Sequence, residues 1–157
     1  MKIGVIVYSQ TGNTYSVAEK LQNALIKKGH KVNVEKIEAL RDPKQPTVIN
    51  LTKVPDISKY DSIVFATFVE GFCLCPVMIK YLDQIKTLKG KSITGFVTQF
   101  FPYSWMGGNH AIKQMKKACV LKDNNISISA IVNWKNKKRD KLIDQLIEDF
   151  TSYYKEV

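Results

Sequence analysis

Apolar and polar positions alternate between two periods along the chain. Ile3 to Val7 form a short, nearly uninterrupted apolar run, which reads as a buried strand. A polar stretch follows, Ser9-Gln10-Thr11-Gly12-Asn13-Thr14. Val17, Ala18, Leu21, Ala24 and Leu25 then recur at intervals of three and four, the period of an amphipathic helix that Gly29 ends. Residues 31–37 alternate apolar and polar, as in a half-exposed strand at or near a sheet edge. Residues 61–67 are again a continuous apolar run, the mark of a strand buried on both faces, and residues 92–98, with Ile-Thr-Gly-Phe-Val at their heart, read as another buried strand. Residues 126–134 form the last strand. Helical periods follow each of these three strands. One runs from Pro76 through Val77, Met78, Tyr81, Leu82 and Ile85; the second spans about 109–121 and the third about 136–155.

Residues 38–59 break this rhythm. Pro43, Pro46 and Pro55 interrupt them, and no helical period survives beyond one turn. The second helix of the alternation is therefore expected to be short or missing, replaced by a long surface connection. The remaining order is strand–helix throughout. Right-handed crossovers turn such a chain into a doubly wound parallel sheet with helices on both faces. Five strands with an edge-like second strand fit the order 2-1-3-4-5 in one α/β domain over residues 1–157. A ligand then belongs at the carboxyl ends of strands 1, 3 and 4, where three loops emerge: 9–14, 67–75 and 98–108.

The first of these loops carries the clearest chemistry. A strand, a hydroxyl-rich turn with one glycine and a helix start together suit an anion. The first backbone N–H groups of a helix have no partner within it, and the dipole adds partial positive charge there. No Lys or Arg lies between Lys2 and Lys20, so dipoles and hydrogen bonds, not a cation, are expected to neutralise a bound phosphate. The second and third loops carry Phe68, Phe72, Phe100, Phe101, Tyr103 and Trp105. Several large rings in exposed loops call for a flat ligand or a partner.

Ser9-Gln10-Thr11-Gly12-Asn13-Thr14, directly after an N-terminal strand, resembles the phosphate loop of the flavodoxins, Thr/Ser-x-Thr-Gly-x-Thr. The likeness extends over most of the chain, although the other two loops match in position and character more than in identity. The resemblance implies a flavodoxin-like fold and FMN held without a covalent link. Ser9, Gln10, Thr11, Gly12, Asn13 and Thr14 would hold its phosphate. Thr67, Phe68, Gly71, Phe72, Thr98, Gln99 and Phe100 would edge or stack the flavin. Flavodoxins flip a peptide near a glycine of the second loop toward the flavin N5, and Gly71 is the only glycine in that loop; it also suits a tight turn and nothing more. The resemblance implies an electron carrier serving redox partner proteins. An FMN-dependent NAD(P)H:quinone-type oxidoreductase is the alternative.

Charge departs from the family pattern. The chain holds 24 Lys and Arg against 14 Asp and Glu, a net +10, whereas carrier flavodoxins are typically acidic. Lys113, Lys116 and Lys117 crowd one helix, and Lys135, Lys137, Lys138, Arg139 and Lys141 crowd the end of the last strand and the following helix start. Basic residues at a helix start oppose its dipole. They suit an acidic partner protein, the phosphates of NAD(P)H, or simply a solvated face. No nucleic acid and no membrane is expected as a partner, and monomer and dimer both remain open.

The three cysteines, Cys73, Cys75 and Cys119, and the absence of a credible signal peptide favour a reducing, cytoplasmic setting. Cys75 precedes Pro76 at a helix start, where a thiolate can be stabilised and its pKa lowered, but inert packing is the reading preferred for the pair. No metal site is expected. Receiver chemistry needs carboxylates where this chain has Tyr8 and Thr67. Nucleotide hydrolysis needs a Gly-x-x-x-x-Gly-Lys-Ser/Thr loop, which is missing.

Overall fold

The computed structural model describes residues 1–156. Strand β1 (Lys2–Val7) leads through the first loop into helix α1 (Asn13–Lys27), and then comes β2 (Lys31–Lys36). A β-hairpin follows, β3 (Glu38–Asp42) and β4 (Gln45–Lys53). The alternation then resumes with β5 (Ser62–Glu70), a two-residue strand β6 (Cys73–Leu74), α2 (Pro76–Gln84), β7 (Ser92–Gln99), α3 (Gly108–Val120), β8 (Ile126–Asn133) and α4 (Arg139–Glu156).

Five parallel strands run in the order β2-β1-β5-β7-β8, which is the expected 2-1-3-4-5. The β6 strand pairs antiparallel with the end of β5. Alternating side chains send the strands' apolar residues to two cores, one on each face of the sheet. Ile6, Ile63, Phe65, Ile93 and Val97 pack against Met78, Tyr81 and Leu82 of α2 and Met115 and Cys119 of α3. Ile3, Val5, Val7, Val64, Ala66 and Phe96 pack against Val17, Leu21 and Leu25 of α1 and Leu146, Phe150 and Tyr154 of α4. Tyr154 carries its hydroxyl into this apolar layer and meets Ser62 Oγ at 2.8 Å and Thr94 Oγ1 at 2.9 Å. The buried phenol is thereby satisfied, and burial still pushes its pKa up to about 12.

No helix joins β2 to β5, as the prolines indicate, but the connection is not irregular. The β3–β4 hairpin forms a separate two-stranded sheet. Its alternation is hard to read because most of it faces solvent: Leu40 and Val48 are exposed, while Ile49 alone is fully buried. Pro46 is tolerated because this small sheet is all edge. The hairpin docks through Ile49, Leu51 and Ala39 on the α2 side of the core. It is also tied to β5 by charge. Arg41 Nη1 donates to Glu70 Oε1 at 2.7 Å and Nη2 to Glu70 Oε2 at 2.9 Å.

β5 extends three residues beyond the predicted strand and folds straight back into β6. The expected open loop 68–75 is thus largely a hairpin, with Gly71 and Phe72 as its two turn residues. Both have left-handed φ, 57° and 63°. That is the geometry of the two-residue turns that suit a twisted hairpin.

Candidate functional site

The ends of β1, β5 and β7 converge on a small cavity of about 150 Å3. Gln10, Thr11 and Asn13 of the first loop form one side, Phe68 and Val69 the second, and Thr98, Gln99 and Phe100 the third; Trp134 closes it from beyond β8. This volume is below the roughly 300–1,000 Å3 usual for a small-molecule site, so a mononucleotide would seat only in part and spread over the rim. Of three clefts of about 500 Å3 or more, the two beside residues 54–58 and between α2 and α3 share no residue with the three loops, and the one between α3 and β8 touches them only at Ser104.

The first loop has the donors that an anion needs. Gly12 caps α1 with φ 90°, a left-handed conformation natural to glycine. No acidic residue occupies the first turn of α1, and its N-cap, Gly12, has no side chain to cap it. Among the described residues, the backbone N–H groups of Gln10, Thr11, Gly12, Asn13 and Thr14 donate to nothing in the protein. Tyr15 N–H donates to Ser9 Oγ at 3.4 Å, holding the loop closed over the helix start. Groups left unpaired at the mouth of a cavity suit the three acceptor oxygens of a phosphate. A second cavity, of about 220 Å3, lies on the other side of the loop, where Ser9, Gln10, Gly12, Tyr15 and Lys36 meet. Lys36 Nζ stands 4.0 Å from the Tyr15 ring centroid. A cation from the end of β2 therefore flanks this loop, which the sequence between Lys2 and Lys20 could not reveal.

Four of the predicted side chains are committed to the scaffold. Thr14 and Thr98, both buried, share a hydroxyl–hydroxyl hydrogen bond of 2.8 Å. Thr67, fully buried, donates to the Tyr8 carbonyl at 3.0 Å. Gln99 spans the third loop: its Nε2 faces the Phe101 carbonyl at 3.1 Å, the Tyr103 carbonyl, and Asn133 Oδ1 at 2.7 Å. Its Oε1 is the one buried side-chain oxygen or nitrogen without a partner among the described residues.

The aromatic residues divide. Phe68 and Phe100 line the cavity, and Phe68 lies against Tyr8 with centroids 5.8 Å apart. Phe72 does not line it. Its half-exposed ring stacks on Phe101 at 5.6 Å with planes 2° apart, so the second and third loops bind each other ring to ring. Gly107 makes this approach possible, since a Cβ there would come within 2.7 Å of Phe72 Cα. Gly71 is equally remote from the lining and serves the turn. Tyr103 and Trp105 stack on each other at 6.2 Å and remain exposed.

Trp134 has no counterpart among the residues predicted from sequence. The parallel pairing of β7 and β8 brings it to the third loop, and its backbone N–H donates to the Gln99 carbonyl at 2.8 Å. An aromatic residue at the end of the strand beside β7 was the available signal. Two members of the basic cluster stand over the cavity's aromatic walls. Arg139 lies 4.8 Å from the Trp134 ring and Lys135 Nζ lies 5.2 Å from the Phe100 ring. Cation–π attraction offsets the unfavourable helix dipole there.

Cys75 follows the inert-packing reading and not the thiolate one. The N–H groups of Val77 and Met78 at the start of α2 do stabilise its thiolate, but burial outweighs them and pushes the thiol up to about 11. Cys75 is a packed core residue, and only Cys73 of the pair reaches the surface.

No protein-family model matches the chain, and no curated protein sequence is significantly similar to it. Solved structures do match. Flavodoxin 2 from Bacillus cereus superposes with a TM-score of 0.70 at 17% identity, covering 98% of this chain and 99% of the other. A flavodoxin from Streptococcus pneumoniae TIGR4 gives 0.69 at 15% identity over 98% and 99%. A flavoprotein in complex with FMN from Lactobacillus acidophilus NCFM gives 0.60 at 16% identity over 92% and 96%. The chain therefore has the flavodoxin-like fold across nearly its whole length. No helix of the described residues is long and apolar enough to cross a membrane.

Proposed function

We propose that this chain is an FMN-binding, cytoplasmic electron-transfer protein that exchanges electrons with partner proteins. The observation that carries the reading is the meeting of unpaired N–H groups at residues 10–14 with an aromatic-walled cavity at the ends of β1, β5 and β7. The neighbouring flavodoxins, and the FMN held by the Lactobacillus acidophilus protein, support the choice of ligand. Ser9, Thr11 and the N–H groups at 10–14 would hold the phosphate. Phe68, Phe100 and Trp134 would bound the ring system, with Thr14, Thr67, Thr98 and Gln99 fixing the loops around it and the Gly71–Phe72 turn tying the second loop to the third through the Phe72–Phe101 stack. FMN would supply one-electron chemistry there, and the residues would tune it by packing and charge.

A carrier needs its ring edge near the surface. The cavity is small and bordered by exposed Phe100, which suits transfer at the rim. Lys135 and Arg139 beside it suit an acidic partner surface. The oxidoreductase alternative needs room for a nicotinamide against the ring, and the basic rim is the feature that favours it. An absorption titration with FMN followed by stepwise anaerobic reduction decides. Tight FMN binding with two resolved one-electron steps is expected. Direct two-electron bleaching by NAD(P)H would favour the oxidoreductase, and no binding would overturn both.

A further inference from the structure

The β3–β4 hairpin stands where the strand–helix alternation calls for a helix, and it does more than cover α2. Arg41, near its turn, makes a two-pronged pair with Glu70, the last residue of β5. The same guanidinium is itself held: Nε donates to the Pro46 carbonyl at 3.2 Å and Nη2 to the same oxygen at 2.9 Å. Its side chain is 16% exposed and that of Glu70 32%, so the pair is partly withdrawn from solvent. A guanidinium anchored on its own hairpin and gripping both carboxylate oxygens fixes direction as well as distance.

Glu70 occupies a sensitive position. It directly follows Val69 and closely follows Phe68, both of which line the cavity, and it immediately precedes the Gly71–Phe72 turn. Phe72 holds a φ of 63°, an uncommon conformation for a bulky residue that the surroundings must enforce. Beyond the Glu70–Cys73 pairing that closes the turn, two contacts flank it: the Phe72–Phe101 stack on one side and the Arg41–Glu70 pair on the other.

We propose that Arg41 is a positioning residue for the candidate flavin site: it clamps the second loop through Glu70 and cancels that carboxylate's charge beside the cavity. The electrostatic half of this inference rests on the FMN reading above; the clamp does not. Without Arg41, the turn loses its tether and a half-buried negative charge stands uncompensated near the ring. A negative charge there disfavours adding electrons. With both groups neutral, the charge effect disappears while the tether remains weakened.

The test uses the full chain with Arg41→Gln, Arg41→Lys, Glu70→Gln and the double variant Arg41→Gln/Glu70→Gln. In the FMN-free protein, amide exchange at residues 70–73 is expected to speed roughly tenfold or more in Arg41→Gln, as loss of a charge-assisted pair implies. Arg41→Lys should fall between, because lysine keeps the charge but not the fork. In the FMN-loaded protein, the reduction midpoint should fall in Arg41→Gln and return toward wild type in the double variant. Unchanged exchange in Arg41→Gln overturns the clamp. A midpoint displaced equally in the single and double variants overturns the charge role. If wild type binds no FMN, the functional reading and the charge role fall with it, and the exchange measurement alone decides the clamp.

Discussion

Thr14 and Thr98 meet hydroxyl to hydroxyl at 2.8 Å, both buried, and so lock the first turn of α1 to the end of β7. Two of the loops that form the cavity are thus held in register from beneath it. Replacing either threonine by valine strands the other hydroxyl away from water, a loss of about 1–3 kcal/mol. Replacing both removes the stranded group. Urea unfolding of Thr14→Val, Thr98→Val and the double variant should show the double costing less than the two singles added together. Simple additivity would mean the two hydroxyls do not depend on each other.

Gly12 separates backbone strain from charge. At φ 90° with nothing within 4 Å of a Cβ position, a side chain there meets strain but no collision. Asparagine tolerates this region best among the other residues, at a cost on the order of 1 kcal/mol. Gly12→Asn should therefore weaken FMN binding modestly, by about fivefold on that cost. Gly12→Asp adds a negative charge where a phosphate would sit and should abolish binding. Flavin fluorescence titration with circular dichroism as the folding control reads both. Equal affinity in the Asn and Asp variants would remove the first loop from the phosphate site.

Legibility in the sequence followed the physics of each signal. Ile3–Val7 and residues 61–67 are buried on both faces, so their apolar runs announced strands, and the strand-edge pattern of 31–37 placed β2 outermost. The first loop was legible because its donors are backbone groups fixed by local chain geometry. The β3–β4 hairpin was not, because Ile49 is its one buried apolar residue and the alternation of β3 exposes Leu40 while half-burying Arg41. Phe72 looked like a ring wall by composition alone. Its partner, Phe101, is set by a turn and by the absence of a Cβ at Gly107, which no local pattern encodes. Trp134 and Lys36 reach the site through strand pairing, and Arg41 reaches Glu70 across 29 positions of sequence.

The cysteines should respond to alkylation in a fixed order. A thiol with a pKa of about 11, as at Cys75, is ionised to only about one part in a thousand at pH 8, and it is also fully buried. Cys119 is buried too, with its thiol pushed up to about 12. Iodoacetamide at pH 8 should modify Cys73 first and leave Cys75 and Cys119 unmodified until the chain unfolds. Peptide mapping by mass spectrometry checks this. Rapid modification of Cys75 in the folded protein would contradict the burial that raises its pKa.

His30 gives stability a pH dependence of definite sign. Its ring packs edge-on to Tyr154 at 6.1 Å, and burial, aided by the positive N-terminus, lowers its pKa below the ordinary 6.5. A base whose folded pKa is depressed binds its proton more readily once unfolded. Its neutral form therefore supports the fold fully above about pH 6.5, where the unfolded imidazole is also neutral. As pH falls through 6.5 the unfolded chain takes up the proton first, and the support is lost progressively until the folded imidazole also titrates. Urea unfolding at pH 7.5, 6.5 and 5.5 should show stability declining across this window in wild type. His30→Asn lacks the titrating group and should decline less over the same interval. An identical pH slope in the two proteins would assign the acid sensitivity to other groups.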